Sequence, residues 1–139
     1  MTTAVRRGEP LDLAAIREIQ IASPQAAQWD VTDYLEHDLR VAERGASVVG
    51  FLVSRTLAAG ESEILNLAVA PACRRQGVAR ALVRTLLSDV SGAVFLEVRA
   101  SNEAARVFYN SLGFEEVASR PEYYEKPPEA AIVMKFHSC

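Results

Sequence analysis

Apolar and polar positions along the chain change their spacing several times, and each change marks an element. Thr3 to Arg7 reads as a short strand, and Pro10 to Ile21 as a helix with Leu11, Ala15, Ile16 and Ile19 along one side. Ser23-Pro24 breaks that helix. Gln25 to Asp30 is a loop holding the only tryptophan, Trp29, and Thr32 to His37 reads as a short second helix. Leu39 to Glu43 and Ser47 to Thr56 form a hairpin around Arg44-Gly45, and the apolar run Val48 to Val53 in its second arm is expected in the core. Gly60 marks another turn. The next strand spans Glu61 to Val69 and stops at Pro71.

Beyond Pro71 the character shifts. Arg74-Arg75-Gln76-Gly77 leads into a helical pattern that puts Val78, Leu82 and Leu86 on one face, with Ala81, Val83 and Leu87 beside them. Ser91-Gly92 closes it. Ala93 to Val98 reads as an apolar strand, and Asn102 to Leu112 as a helix ended by Gly113, where a left-handed residue is wanted. Phe114 to Ala118 and Ala130 to Phe136 are the last two strands. Arg120 to Glu129, with its prolines and tyrosines, is expected to be the loop between them. The sum is a mixed α/β sheet whose middle runs strand, basic turn, helix, strand, helix.

The 139 residues suit a single domain over 1–139, with 50% hydrophobic and 24% charged residues, as in compact folded chains. A net charge of -3 argues against a nucleic-acid partner. No stretch approaches the roughly 18 apolar residues of a membrane helix. Arg6-Arg7 is followed by Gly8-Glu9-Pro10 rather than by a signal core, so the expected location is cytoplasmic, away from membranes. Cys73 and Cys139 stand apart from each other, and His37 and His137 have no ligand spacing. Neither a disulfide framework nor a metal is expected.

Six features are candidates for chemistry. In Pro71 to Arg80 a strand end feeds a helix start through two arginines, and Gly77 and Ala79 leave the opening backbone bare. Free N–H groups and the positive end of the helix dipole there make an anion site; the same residues also suit a solvated basic turn. Gly-Lys-Ser/Thr is missing, so this is no nucleotide P-loop. Glu97 interrupts the apolar strand Ala93 to Val98. Desolvation there would favour a general base, while an exit to water or to Arg99 would make it ordinary. Tyr109 falls near Phe108 and Leu112, as a core aromatic or as a proton donor. Asn102 is a good helix N-cap. Asn66 faces either solvent or a cleft, and Trp29 is either core or the lip of a groove.

Taken jointly, these stretches resemble a known family. Asn66-Leu67-Ala68-Val69-x-Pro71 followed by Arg74-Arg75-Gln76-Gly77-Val78-Ala79 is similar to the acetyl-CoA motif of the GNAT N-acetyltransferases. Leu96 to Asn102, Phe108-Tyr109-x-x-Leu112-Gly113-Phe114 and Arg120-x-x-Tyr123-Tyr124 resemble its bacterial ribosomal-protein alanine (RimI-type) branch. The likeness is good over Glu61 to Met134 and holds only in element order before that. The fold it implies is a mixed, mostly antiparallel central sheet of about seven strands, splayed at the cofactor and flanked by about four helices.

The resemblance also implies roles. Leu67, Ala68 and Val69 would pair with the pantetheine arm of acetyl-CoA through their backbone. Arg74, Arg75, Gln76, Gly77, Val78, Ala79 and Arg80 would wrap its diphosphate, and Asn102 would touch the pantetheine end. Glu97 would be the general base and Tyr109 the general acid, with Tyr123 and Tyr124 lining a peptide groove. The implied partner is a protein N-terminus, an Ala-starting ribosomal peptide first. Another protein, a small amine, or a silent acyl-CoA-binding module are the alternatives. The branch's His-x-x-x-Pro-Trp-like segment is reduced here to Trp29 in Ser23 to Trp29, so reaction type is better marked than acceptor.

Overall fold

Short-range signals set most elements of the computed structural model, which describes residues 2–125 and 128–137, the side chains of Glu122 and Glu125 excepted. In chain order these are β1 (Ala4–Arg7), α1 (Leu13–Ile21), β2 (Asp38–Arg44), β3 (Ser47–Ala58), β4 (Glu61–Val69), α2 (Val78–Asp89), β5 (Ala93–Arg99), α3 (Glu103–Ser111), β6 (Glu115–Glu125) and β7 (Pro128–His137). Tight 3-10 turns occupy Pro10–Asp12, Val31–Glu36 and Pro71–Cys73. The seven strands follow the order β1-β2-β3-β4-β5-β7-β6, an α/β arrangement of mostly antiparallel neighbours. The chain groups into two units, one of residues to Thr56 with Ile64–Asp89, the other of Leu57–Glu63 with the chain from Val90 onward.

In the first unit, Ile16, Ile19, Val31, Tyr34, Leu39, Val41, Phe51 and Val53 form one buried cluster. Val78, Leu82, Val83 and Leu86 are the buried residues of α2, and each such side chain contributes roughly 1.5–3 kcal/mol by leaving water. Gly50 in β3 is set by α2. A Cβ there would lie 3.0 Å from Val78 Cγ1 and 3.2 Å from the Ala68 carbonyl oxygen. The helix expected over Pro10 to Ile21 begins instead as a 3-10 turn. Asp12 turns inward to accept two hydrogen bonds from Arg6, at 2.8 and 2.9 Å, and one from the Glu9 N–H. Leu11, expected on the apolar face, is thereby left 92% exposed.

In the second unit, the first residues of β4 run parallel to β5, pairing Glu61 with Ala93, Ser62 with Val94 and Glu63 with Phe95, and the ladder ends there. Gly92 sits at φ 87°, and a Cβ on it would come within 2.1 Å of the Gly60 carbonyl oxygen. Only glycine fits. α3 is capped by the Asn102 Oδ1, which accepts from the Ala105 N–H at 3.2 Å, and it is ended by Gly113 at φ 101°. The rings of Phe108, Tyr109, Phe114 and Phe136 follow one another at centroid separations of 5.0, 5.3 and 5.5 Å.

One expectation is corrected. Most of the stretch expected as a loop, Arg120 to Glu129, lies in β6 and β7. Proline is tolerated at a sheet edge and at the first residue of a strand. β6 is the terminal strand, Pro128 opens β7, and a register irregularity between Arg120 and Tyr124 takes up Pro121. Among the described residues no helix is long and apolar enough to cross a membrane.

Candidate functional site

The basic turn belongs to the first unit, where β4 ends and α2 begins. Gly77 has φ 82°, and its carbonyl accepts the Ala81 N–H at 3.0 Å, so it caps α2. A Cβ at Gly77 would meet nothing within 4 Å. The approach to the first N–H groups of α2 is therefore open, as an anion needs. Arg75 is also left-handed, at φ 62°. Its exposed side chain makes no hydrogen bond or ion pair with any described residue.

Arg74 is differently employed. Its guanidinium donates to the Val69 carbonyl, the Ala22 carbonyl and Ser23 Oγ, each at 3.1 Å. Gln76 donates to the Ala72 carbonyl at 3.2 Å, its side-chain oxygen accepts from Arg44 Nη1, and its carbonyl accepts from Arg44 Nη2 at 3.1 Å. Arg44, expected only as a hairpin-turn residue, thus braces the basic turn. Val78 is buried, Ala79 and Arg80 are half-buried, and Ala68 and Val69 of β4 are buried beside the half-buried Leu67.

Asn66 faces neither solvent nor an open cleft. It is 6% exposed, and its Nδ2 donates to Gln20 Oε1 at 3.2 Å, the Ala27 carbonyl at 3.0 Å and the Tyr34 hydroxyl at 3.0 Å. Its Oδ1 accepts the Ala27 N–H at 3.3 Å and the Leu67 N–H at 3.0 Å. Gln20 Oε1 also accepts from the Tyr34 hydroxyl, and Gln20 Nε2 donates to the Trp29 carbonyl at 2.6 Å. Burial raises the Tyr34 phenol's pKa above its ordinary value despite the Asn66 hydrogen bond. This network fixes the loop that carries Trp29, whose side chain lies at the surface, 49% exposed as a residue. Sequence reasoning missed it. Its one legible signal was Gln20, a polar residue four positions after Ile16 on the inward face of α1.

The second unit carries the carboxylate and phenol candidates. On β5, Glu97 Oε1 accepts from Arg120 Nη1 at 2.5 Å, and its Oε2 is buried with no hydrogen-bond partner among the described residues. The exit considered for it, Arg99, is engaged elsewhere: Arg99 donates to Glu129 Oε1 at 3.3 Å, and Glu129 Oε2 accepts the Ser101 N–H at 2.5 Å. Arg120 lies over the Tyr123 ring at 4.5 Å from its centroid, Arg99 over Tyr124 at 4.2 Å, and the two tyrosine rings meet edge-on at 5.2 Å. Burial first, then the nearby Glu97 charge, raises the Tyr124 phenol's pKa.

Tyr109 is 6% exposed, and burial alone pushes its phenol well above the ordinary range. Its hydroxyl bonds to no described residue. The structure thus brings Glu97 together with Arg120, Tyr123 and Tyr124. No hydrogen bond joins Glu97 to Tyr109, and the Asn102 side-chain oxygen is spent on its helix cap.

The model of the Acetyltransferase (GNAT) family matches residues 12–114. The ribosomal protein bS18-alanine N-acetyltransferase of Haemophilus ducreyi is 32% identical over 120 residues, covering 81% of this chain and 77% of that one. An uncharacterised Mycobacterium leprae protein is 45% identical over 76 residues, covering 54% of this chain; the match takes in 21% of that relative's length. Among solved structures, the ribosomal-protein alanine N-acetyltransferase of Escherichia coli aligns with a TM-score of 0.84 at 29% identity, covering 99% of this chain and 96% of that one.

Proposed function

Since this chain belongs to the acetyltransferase (GNAT) family, we propose that it moves the acetyl group of acetyl-CoA to a primary amine, first of all the N-terminal α-amine of a protein that begins with alanine, such as a ribosomal protein. The observation that carries the reading is Glu97. One carboxylate oxygen is held by Arg120 while the other is buried and unpartnered among the described residues. A carboxylate oxygen shut away from water without a donor is costly, and an incoming ammonium N–H supplies the donor it lacks.

Acetyl-CoA fits the residues of the basic turn on one specific ground. The left-handed Gly77 leaves open space where a side chain would stand, at the start of a 12-residue helix. Backbone N–H groups of Gly77, Val78, Ala79 and Arg80 would hold the diphosphate, with Arg75 adding charge, and Arg74 and Gln76 would hold the turn in shape. Leu67, Ala68 and Val69 would offer backbone groups to the pantetheine arm, and Asn102 would meet its end. Acetyl-CoA supplies an acyl thioester.

The protein's task is then to move two protons. An α-amine has a pKa near 7.7–8.0, so much of it is protonated and non-nucleophilic at neutral pH. Glu97 would remove that proton through Oε2, directly or across one water that enters with the acceptor. As the C–N bond forms and the C–S bond breaks, Tyr109, held protonated by its burial, would give its proton to the departing sulfur. The second proton shed by the acylated nitrogen would restore the phenol through solvent. Tyr123 and Tyr124 flank the acceptor peptide.

The test is thiol release from acetyl-CoA against a panel of N-terminal peptides and small amines. Glu97→Gln and Tyr109→Phe should each lower kcat by roughly 10²–10⁴-fold while acetyl-CoA affinity holds. Full activity in both variants overturns the assignment. Release with small amines alone would move the acceptor class, and none with any amine would leave a silent acyl-CoA binder.

A further inference from the structure

We propose that Arg120 is the positioning residue for Glu97: its guanidinium fixes one carboxylate oxygen and so turns the other toward the acceptor amine. The inference rests on the reading of Glu97 as proton acceptor. A glutamate on a strand has freely turning outer torsions, and an untethered carboxylate seeks water. Glu97 does not: its side chain is 19% exposed, and Oε2 lies buried without a partner among the described residues. The tether is the Arg120 Nη1 contact at 2.5 Å.

Strand geometry shows how this tether is built. Glu97 stands opposite Val133 on β7, and Arg120 on β6 stands opposite Ala131, so the arginine reaches across one strand and one row. The register of β6 breaks just after Arg120. Irregularities of this kind re-aim side chains beside active sites. The ring of Tyr123, 4.5 Å below the guanidinium, gives it a face to lie on while its edge meets the carboxylate. The nearer cation in sequence, Arg99, is taken by Glu129 and lies over Tyr124. Beyond Glu97, the Tyr123 phenol and then Glu63 also favour the charged form of Arg120.

Stability is a poor explanation for the pair. The Arg120 side chain is 53% exposed, and ion pairs this open to solvent add little to folding. What the contact does is select one orientation of a group whose direction matters to proton transfer, where a small misplacement costs about 100-fold in rate.

The experiment measures kcat, acetyl-CoA affinity and melting temperature for Arg120→Ala and Arg120→Lys, with and without guanidinium chloride at tens of millimolar and sodium chloride as control. Arg120→Ala should lower kcat roughly 10- to 100-fold with cofactor affinity and melting temperature close to the parent's. Arg120→Lys, which keeps the charge and loses the planar stack, should fall between. Free guanidinium, and not sodium, should restore part of the loss in the alanine variant. An unchanged kcat, or a loss tracking a lowered melting temperature and insensitive to guanidinium, overturns the proposal. Full activity in Glu97→Gln fails the underlying reading instead; an inactive Glu97→Gln beside a fully active Arg120→Ala fails this inference alone.

Discussion

Replacing Asn66 with alanine should cost the fold more than its single polar side chain suggests. Two groups that lose it lie deep in the first unit: Tyr34 is 1% and Gln20 4% exposed. The Tyr34 hydroxyl would lose the donor that bonds it at 3.0 Å, and Gln20 Oε1 the donor at 3.2 Å, while the Tyr34–Gln20 contact persists. Each of these two buried oxygens keeps its bond to the other and loses a donor that water cannot replace, which costs about 1–2 kcal/mol, the lower part of the penalty for an unpaired buried group. A hydrogen bond exchanged for water costs about 1 kcal/mol or less. Ala27 is half-buried, so its N–H and carbonyl can turn to water and count little. The two buried losses together predict roughly 2–4 kcal/mol. For a chain of this length, at about 3–4 °C per kcal/mol, that corresponds to a melting temperature about 6–16 °C lower. Asn66→Leu, which fills the volume without restoring a bond, should be no better. Asn66→Asp keeps the acceptor and sets it against Gln20 Oε1 and the Ala27 carbonyl, so it should be at least as bad. Urea unfolding with an unchanged slope measures this, and limited proteolysis should find 23–29 cut sooner. A loss below about 1 kcal/mol in Asn66→Ala would refute the reasoning, since it would leave the buried partners at ease without Asn66.

Two other predictions concern charge and backbone. Gly77→Glu puts a charged side chain at φ 82° on the opening of α2, and titration should show acetyl-CoA binding lost; Gly77→Ala, whose Cβ meets nothing within 4 Å, should lose only what a strained backbone costs, about 1–2 kcal/mol. Unchanged affinity in Gly77→Glu would put the phosphates elsewhere. Asp12 is held below its ordinary pKa of 3.8, chiefly by its hydrogen bonds from Arg6. The unfolded chain therefore takes up this proton first as pH falls, so the contribution is present above about pH 4 and is lost as pH drops through the lower folded value. Urea midpoints from pH 2.5 to 7 should decline less steeply in Asp12→Asn than in the parent, and parallel profiles would exclude the effect.

What the sequence shows well is what neighbours decide. The spacing of Val78, Leu82 and Leu86 builds α2, and the Glu61 to Val69 strand ends where Pro71 must end it. Asn102 and Gly113 bound α3 for reasons internal to a helix. The misses have the opposite character. Leu11 points outward because Arg6 draws Asp12 in, a choice made between two strands and a turn. Pro121 reads as a breaker until β6 is known to be an edge. Asn66 and Gln20 lie 46 residues apart, so no local pattern pairs them. Glu97 shows the same division: its anomaly in an apolar strand is visible in the sequence, yet its partner is Arg120 rather than the adjacent Arg99, because strand order rather than chain order sets which cation is near.

That division reaches into the basic turn itself. By composition Arg74 and Arg75 are equivalent, two cations beside a bare helix start. In the folded chain they part company. Arg74 is consumed by the Val69 and Ala22 carbonyls and Ser23 Oγ, tying the turn to the end of α1. Arg44 does the same to Gln76 from β2. A turn braced from two sides can hold left-handed residues at Arg75 and Gly77, a backbone that a free loop would relax. Such a backbone turns consecutive N–H groups toward one point, which suits an anion better than a mobile cation does. Arginine content made the turn conspicuous in the sequence, but the anion recognition proposed for it rests on amides, and most of its charged and amide side chains serve to keep those amides in place.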